Sequence, residues 1–370
     1  MGSYNGWHSH YKNTMDLVAE SKRYNVDWSN LELQYGLMKC YSLGIGIIAM
    51  AETKMNWTNS AKATASRWFH QTLNFSSISS SQTNESFTST YQPGGTLTAV
   101  VDHWSSCVHS KGVDPFGLGR WSFVTLRGKQ HTLLTIITAY RVCQKSSCST
   151  GVKTAYMQQL RVLKKYSLQS DNYSQLEPNK QFIWDLQAWI QHLQAQGHLI
   201  ILNIDNNKDF YAAGGNYHPL PYQPSVHVTD KTHDGNLRTL AASCGLIDIL
   251  ALQHSSRPFP PTYIRGKKRI DYILISANLQ DAVECSGILP YNAIFSGDHK
   301  PCFLDFNADL LFAGSTPPLA PPCQRSLQLF DPRKVNEYRT VLHKQLDYHK
   351  VFDKLKTLKE AAESGNWSQD

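Results

Sequence analysis

The chain has 370 residues, of which 41% are hydrophobic and 18% charged, with a formal net charge of +7. That mixture excludes a disordered or fibrous chain and is ample for a sizeable core. Residues 308–370 hold nine Lys/Arg and eight Asp/Glu, so +6 of the excess falls in the first 307 residues and mildly favours an anionic partner such as nucleic acid.

Two further classes are set aside. The eight cysteines, at 40, 107, 143, 148, 244, 285, 302 and 323, include no C-x-x-C pair, which argues for reduced thiols rather than a zinc site or a disulfide scaffold. The opening MGSYNGWHSHYK lacks the apolar centre of a signal peptide, and the run Leu43 to Ala51 is too short to span a bilayer. A monomer in a reducing intracellular compartment, nuclear or cytoplasmic and without a membrane partner, is the default expectation.

In chain order, "SLGIGIIAMAETK" (42–54) predicts a buried strand ending in charge. "FSSISSSQTNESFTSTYQ" (75–92) predicts a polar surface loop. "PGGTLTAVV" (93–101), "RWSFVTLRG" (120–128) and "HTLLTIITAYRV" (131–142) predict strands, from β-branched residues punctuated by glycine. In "NKQFIWDLQAWIQHLQAQG", Phe182, Ile183, Leu186, Trp189, Ile190 and Leu193 fall on one helical stripe, and Gly197 is placed to end the helix. The strand 199–204 follows, then a helix near 236–244. "RIDYILIS" (269–276) and "SGDHKPCFLDF" (296–306) predict two more strands. Helix–strand alternation points to a layered α/β domain over 1–307. Residues 308–332 read as a proline-rich linker. Residues 333–370 read as a helical tail, with Val335, Tyr338, Leu342 and Leu346 on one stripe.

Several apolar runs lead into or closely flank an acid: Glu52, Asp205, Asp298 and, with the acid first, Asp271. Side chains from different strands converge at strand ends, where sheets place ligands. Two carboxylates at about 4 Å repel by roughly 4 kcal/mol at an effective dielectric near 20. If Glu52, Asp205 and Asp298 converge, a hard divalent cation, Mg²⁺ or Mn²⁺, relieves that repulsion. In "IDNN", Asp205 can position or deprotonate water and the Asn207 amide can donate to a developing oxyanion, although Asx residues also serve turns. Asp298 and His299, adjacent, would point to opposite faces of a strand, so His299 is expected to pair with Asp271 instead. The run "IRGKKR", with Arg265, Lys267, Lys268 and Arg269, could hold phosphates or be a solvated basic face.

These residues resemble the endonuclease/exonuclease/phosphatase superfamily, the DNase I-like fold, in order over roughly residues 3–307. Glu52 in "AETK" looks like its metal-binding Glu, and Tyr140 in "TAYR" like its phosphate-contacting Tyr. Asp205 and Asn207 resemble the Asp and Asn of the G-D-F-N motif, with Ile204 and Asn206 as departures. Asp271 in "RIDY" resembles the Asp that orients the catalytic His. "GDHKP" resembles the terminal S-D-H motif, with Gly297 replacing Ser. The region "GRWSFVTLRG…TIITAYRV" and the basic, proline-bearing tail look most like the endonuclease part of a non-LTR retroelement polyprotein.

The resemblance implies a four-layer α/β sandwich, two packed mixed sheets flanked by helices, that cleaves DNA with Mg²⁺ or Mn²⁺. Glu52, Asn5 and Asp298 would hold the metal. Asp205, Asn207, Tyr140, Asp271 and His299 would act on the phosphodiester. Arg141, Arg265, Lys267, Lys268 and Arg269 would contact DNA. The family's first strand ends N-x-N/D-G; in "SYNG", Ser3 stands at the first position and Asn5 at the second, and Met1 leaves almost no strand before them, so a truncated first strand is expected. A phosphatase of small or lipid phosphates, or an inactive remnant that binds nucleic acid, are the alternatives.

Overall fold

A computed structural model describes residues 14–21, 31–73, 76–83, 91–128, 132–143, 153–167, 177–210, 236–254, 259–312 and 332–364. The chain divides into two compact units, Met1–Leu319 and Ala320–Asp370.

The first unit contains two six-stranded sheets. One takes β1 (Thr14–Ser21), β2 (Ile45–Ala51), β3 (Ser76–Ser81), β4 (Thr96–Val101), β11 (Val283–Ile288) and β12 (Cys302–Asn307), in the order β11-β12-β1-β2-β4-β3. The other takes β5 (Val108–Val113), β6 (Trp121–Arg127), β7 (Leu133–Tyr140), β8 (His198–Asp205), β9 (Leu246–Asp248) and β10 (Asp271–Ser276), in the order β5-β6-β7-β8-β10-β9. Both are mixed: β1 pairs parallel with β2 and β7 with β8, while the other pairings are antiparallel.

Period-two alternation explains the layering, because the central strands β2, β4, β7, β8 and β10 are buried on both faces. Ile47, Val100, Val124, Leu134, Ile136, Ile201, Ile273, Leu304 and Phe306 face inward and form the core between the sheets. Their neighbours Ile48, Met50, Leu97 and Ala99 face outward onto Leu33 and Leu37 of α1 (Leu31–Ser42) and Phe69 of α2 (Asn59–Thr72). On the far side, Ile137, Ile200, Leu202, Ile204 and Leu274 meet Phe182, Ile183, Leu186 and Ile190 of α4 (Pro178–Ala195) and Leu237 and Leu240 of α5 (Leu237–Ser243). The result is helix, sheet, sheet, helix. A further helix, α3 (Ala155–Ser167), packs Val162 and Leu163 against Leu118, and the short α6 (Ile249–Gln253) adds Ile249 and Leu250 to the inter-sheet core.

Three expectations change. β1 lies between β12 and β2, while the expected truncated strand before Asn5, and Asn5 itself, lie outside the described residues. The serine-rich stretch supplies β3 rather than a loop alone. Its Ser79, Ser80 and Ser81 are buried, with Ser81 Oγ 2.9 Å from Thr96 Oγ1 and Ser79 Oγ donating to the Gly112 carbonyl, so hydroxyl pairing replaces apolar contact. The last expected strand begins only at Cys302, because 296–301 turn around Asp298 and His299. Leu311 and Phe312, following α7 (Ala308–Leu311) and at its end, are buried in the inter-sheet core, with Phe312 stacked on Trp104 at 5.5 Å, so the globular unit runs past Asn307.

The second unit holds α8 (Pro332–Tyr348) and α9 (Val351–Glu363), neither with a buried residue. Of residues 308–332, read as a linker, 313–331 lie outside the described residues. No helix among the described residues is long and apolar enough to cross a membrane.

Candidate active site

The layer between the sheets changes character along the strands. At one end it is Ile, Val and Leu. Further along, Thr98 Oγ1 lies 2.7 Å from Thr138 Oγ1 and 2.9 Å from Ser122 Oγ, and Thr96 Oγ1 donates to Ser122 Oγ at 3.0 Å. Asn203 Nδ2 then donates to the Ile137 carbonyl at 3.3 Å. One more inward step brings Tyr140, Asp205 and Asp271, the terminal residues of β7, β8 and β10. The threonine and serine hydroxyls pair with one another, as burial favours, and the polar ladder leads to one strand-end cluster.

Register sets the cluster. Tyr140 is the parallel partner of Asp205, and Asp271 is its antiparallel partner across β8 and β10. His299 is fully buried, with Nδ1 2.8 Å from Asp271 Oδ2. Ligand atoms of Asp205, Asp271 and His299 all lie within 4.8 Å of one another. Burial alone would lower the His299 pKa, but Asp271, which also hydrogen-bonds it, with Asp205 and Asp298, raises it to about 9. The three carboxylates thus favour the protonated ring. Its Nε2 and Asp271 Oδ1 are buried and have no hydrogen-bond partner among the described residues. Such orphans call for a ligand.

Glu52 follows β2 in the other sheet, with φ of 52°, and its Oε1 accepts from the Tyr140 hydroxyl at 3.1 Å. Lys54 and Asn207 are also left-handed, at 54° and 50°. Left-handed backbone in residues other than glycine is uncommon and gathers at functional sites. The Glu52 turn rests on Gly94 and Gly95, whose carbonyls accept from Lys54 N at 2.8 Å and Thr53 N at 3.1 Å. Gly95 has φ of +84°, and a Cβ there would meet the Ser81 carbonyl at 2.8 Å. Tyr91 bridges Met55 beside the same turn, and burial and then the Glu52 charge raise its pKa.

Asp205 Oδ1 accepts from Asn207 N at 3.0 Å, an Asx turn that fixes the carboxylate. Asn207 Nδ2 donates to the Arg141 carbonyl at 2.7 Å. Asn206, one of the departures in "IDNN", ties the end of β8 to the start of β10: its N donates to the Ile270 carbonyl at 2.9 Å, and its Oδ1 accepts from Arg141 Nη1 at 3.4 Å. Burial lowers the Arg141 pKa, against a smaller opposing influence of Glu177.

The structure thus brings Tyr140, Asp205, Asn207, Asp271 and His299 together, with Glu52 joined through Tyr140 and Asp298 through its influence on His299. The tight group of possible metal ligands is Asp205, Asp271 and His299; Glu52 and Asp298 fall outside it. The expected trio of Glu52, Asp205 and Asp298 is therefore not the closest set, because Asp271 stands directly across from Asp205. The basic run also divides. Arg265, Lys267 and Lys268 are exposed, with Lys268 3.1 Å from Asp209. Arg269 is 4% exposed and turned inward: Nη2 meets Asp248 Oδ1 at 2.7 Å, Nε donates to the Asp271 carbonyl at 3.0 Å, and the guanidinium lies over Phe259 and Tyr272. It is scaffold, not a surface contact. Arg141, 5% exposed, is likewise inward.

A hard divalent cation fits this edge. The Asp205 and Asp271 carboxylates converge within ligand distance of each other, Asp271 Oδ1 lacks a partner among the described residues, and the donors are mostly oxygen.

No family model matches the chain, and no curated protein does. Solved structures do. The catalytic domain of APE2 from Xenopus laevis is 17% identical, over 79% of this chain and 92% of that one, with a TM-score of 0.51. The AP endonuclease LMAP from Leishmania major is 14% identical, over 80% and 88%, with a TM-score of 0.49. The 3′ phosphatase NExo from Neisseria, bound to product DNA hairpin, is 15% identical, over 79% and 99%, with a TM-score of 0.47. At such identities the likeness is one of fold, carried by the Xenopus match and by the layering above: the chain has the DNase I-like α/β sandwich.

Proposed function

We propose that the chain is a divalent-cation-dependent phosphodiester hydrolase that nicks DNA, as the endonuclease part of a non-LTR retroelement would. The observation that carries this proposal is the buried Asp205–Asp271–His299 cluster at the shared edge of two sheets, with an imidazole whose Nε2 has no partner among the described residues. A protonated imidazole in that position suits an anionic phosphate oxygen. The order of the motifs and the basic excess of the first 307 residues support DNA as the substrate, and the motifs support the retroelement origin.

Glu52, assisted by Asp298 and Asn5, would hold Mg²⁺ or Mn²⁺, which supplies positive charge against the phosphate. Asp205, fixed by its bond from Asn207 N, positions and deprotonates water. Asp271 holds the His299 ring through Nδ1, so Nε2–H points at the phosphate. Tyr140 and the Asn207 amide donate to the charge that builds there. Arg265, Lys267 and Lys268 receive the flanking backbone, a salt-sensitive contribution.

A supercoiled-plasmid assay tests this. Nicks that need Mg²⁺, stop with chelator and vanish in Asp205→Ala support it. Turnover of small phosphates alone would overturn DNA as the substrate. Salt-sensitive DNA binding with no hydrolysis under any divalent metal would favour the inactive remnant.

A further inference from the structure

The segment 262–264 touches both partners of the Asp271–His299 bond. Thr262 is fully buried. Its Oγ1 accepts from Ile270 N at 3.0 Å and from Asp271 N at 3.3 Å, where β10 begins. Its carbonyl accepts from Lys300 N at 2.8 Å. Tyr263 forms an antiparallel bridge with His299, its ring 5.2 Å from the imidazole, and Ile264 N donates to the Asp298 carbonyl at 2.9 Å. Asp271 opens a strand of one sheet, whereas His299 lies in the turn before β12 of the other.

From this arrangement we infer that Thr262 is a positioning residue: its side-chain hydroxyl sets the start of β10 while its backbone carbonyl holds the His299 turn, so that one residue ties Asp271 to His299 and the hydroxyl sets the Asp271 side of their geometry. Two N–H groups, that of Asp271 buried and that of Ile270 partly so, lose this acceptor if the hydroxyl is removed, and the strand end must shift to satisfy them. A displacement of about 1 Å in a catalytic pair can lower turnover by about 100-fold. The kinetic part of this inference rests on the hydrolase proposed above; the geometric part does not.

The test uses the full chain and three variants. Thr262→Val keeps the shape and removes the acceptor; Thr262→Ala removes it without any risk of overpacking; Thr262→Ser restores it. Two quantities are read: the low-field proton resonance of the His299 Nδ1–H, and kcat and KM for Mg²⁺-dependent plasmid nicking, with thermal unfolding confirming the fold. The expected result is that Val and Ala shift or lose the His299 resonance and lower kcat at least about tenfold with KM within about twofold, while Ser retains both. An unchanged resonance in folded Val or Ala overturns the inference. Loss of folding in both Val and Ala assigns Thr262 a purely structural role and also overturns it. If the wild type cuts no DNA yet the resonance moves in Val and returns in Ser, positioning stands and the hydrolase proposal falls.

Discussion

Replacing Asp271 by Asn leaves the shape of the cluster and removes the charge that holds His299. The His299 pKa of about 9, against about 6.5 for a free imidazole, corresponds to roughly 3 kcal/mol of extra proton affinity in the folded chain. Because the folded pKa is the higher one, the native state holds a proton that the unfolded state releases between about pH 6.5 and pH 9. The associated stability is fully present below about pH 6.5 and is lost as the pH rises through about 9. Asp271 is the largest of the raising influences, ahead of Asp205 and Asp298. Urea unfolding of the metal-free chain, followed by tryptophan fluorescence with chelator present, reads this directly. Asp271→Asn should cost about 2 kcal/mol more at about pH 6 than at about pH 9.5. A penalty that is the same at both pH values, or larger in alkali, would refute the reasoning.

Other perturbations have separable outcomes. Asp248→Ala strips the buried Arg269 of its carboxylate at 2.7 Å and should cost about 3–5 kcal/mol in urea unfolding. Gly95→Ala, at φ of +84° and against the Ser81 carbonyl, should lower stability by more than about 1 kcal/mol and, by moving Thr53 and Glu52, should weaken metal-dependent nicking more than DNA binding. Tyr140→Phe removes the 3.1 Å bond to Glu52 and should cost about 1 kcal/mol of stability, with nicking reduced at saturating DNA. Charge reversal at Lys267 should weaken DNA binding and flatten its salt dependence while unfolding stays within about 0.5 kcal/mol of wild type.

Much of the fold could be read in advance because β2, β4, β7, β8 and β10 are aliphatic or β-branched runs buried on both faces, and α4 carries a clean helical stripe. Strand alternation predicts the pairing of His299 with Asp271, but 296–301 form a turn rather than a strand, so the bond comes from the turn that places His299 against the start of β10. The serine strand 76–81 could not be read, since its hydroxyls are buried by pairing with Thr96 and Gly112, and pairing across strands leaves no mark in local composition. In "IRGKKR" nothing local says that Lys268 faces solvent while Arg269 turns inward; the reason is Asp248, 21 residues earlier. Thr262 gave no signal either, because its importance lies in which N–H groups reach it. The closeness of Asp271 to Asp205 is a matter of register, which the separate strands do not reveal.

The central claim is that acids distant in the chain meet to hold one divalent cation. Titration of the full chain with Mn²⁺, followed by the paramagnetic resonance of the free ion, measures it. One tight site should appear in the wild type, weaken at least about tenfold in Glu52→Gln and in Asp205→Asn, and persist in Lys267→Gln. Equal Mn²⁺ affinity in all four proteins, or no site in the wild type, would contradict it.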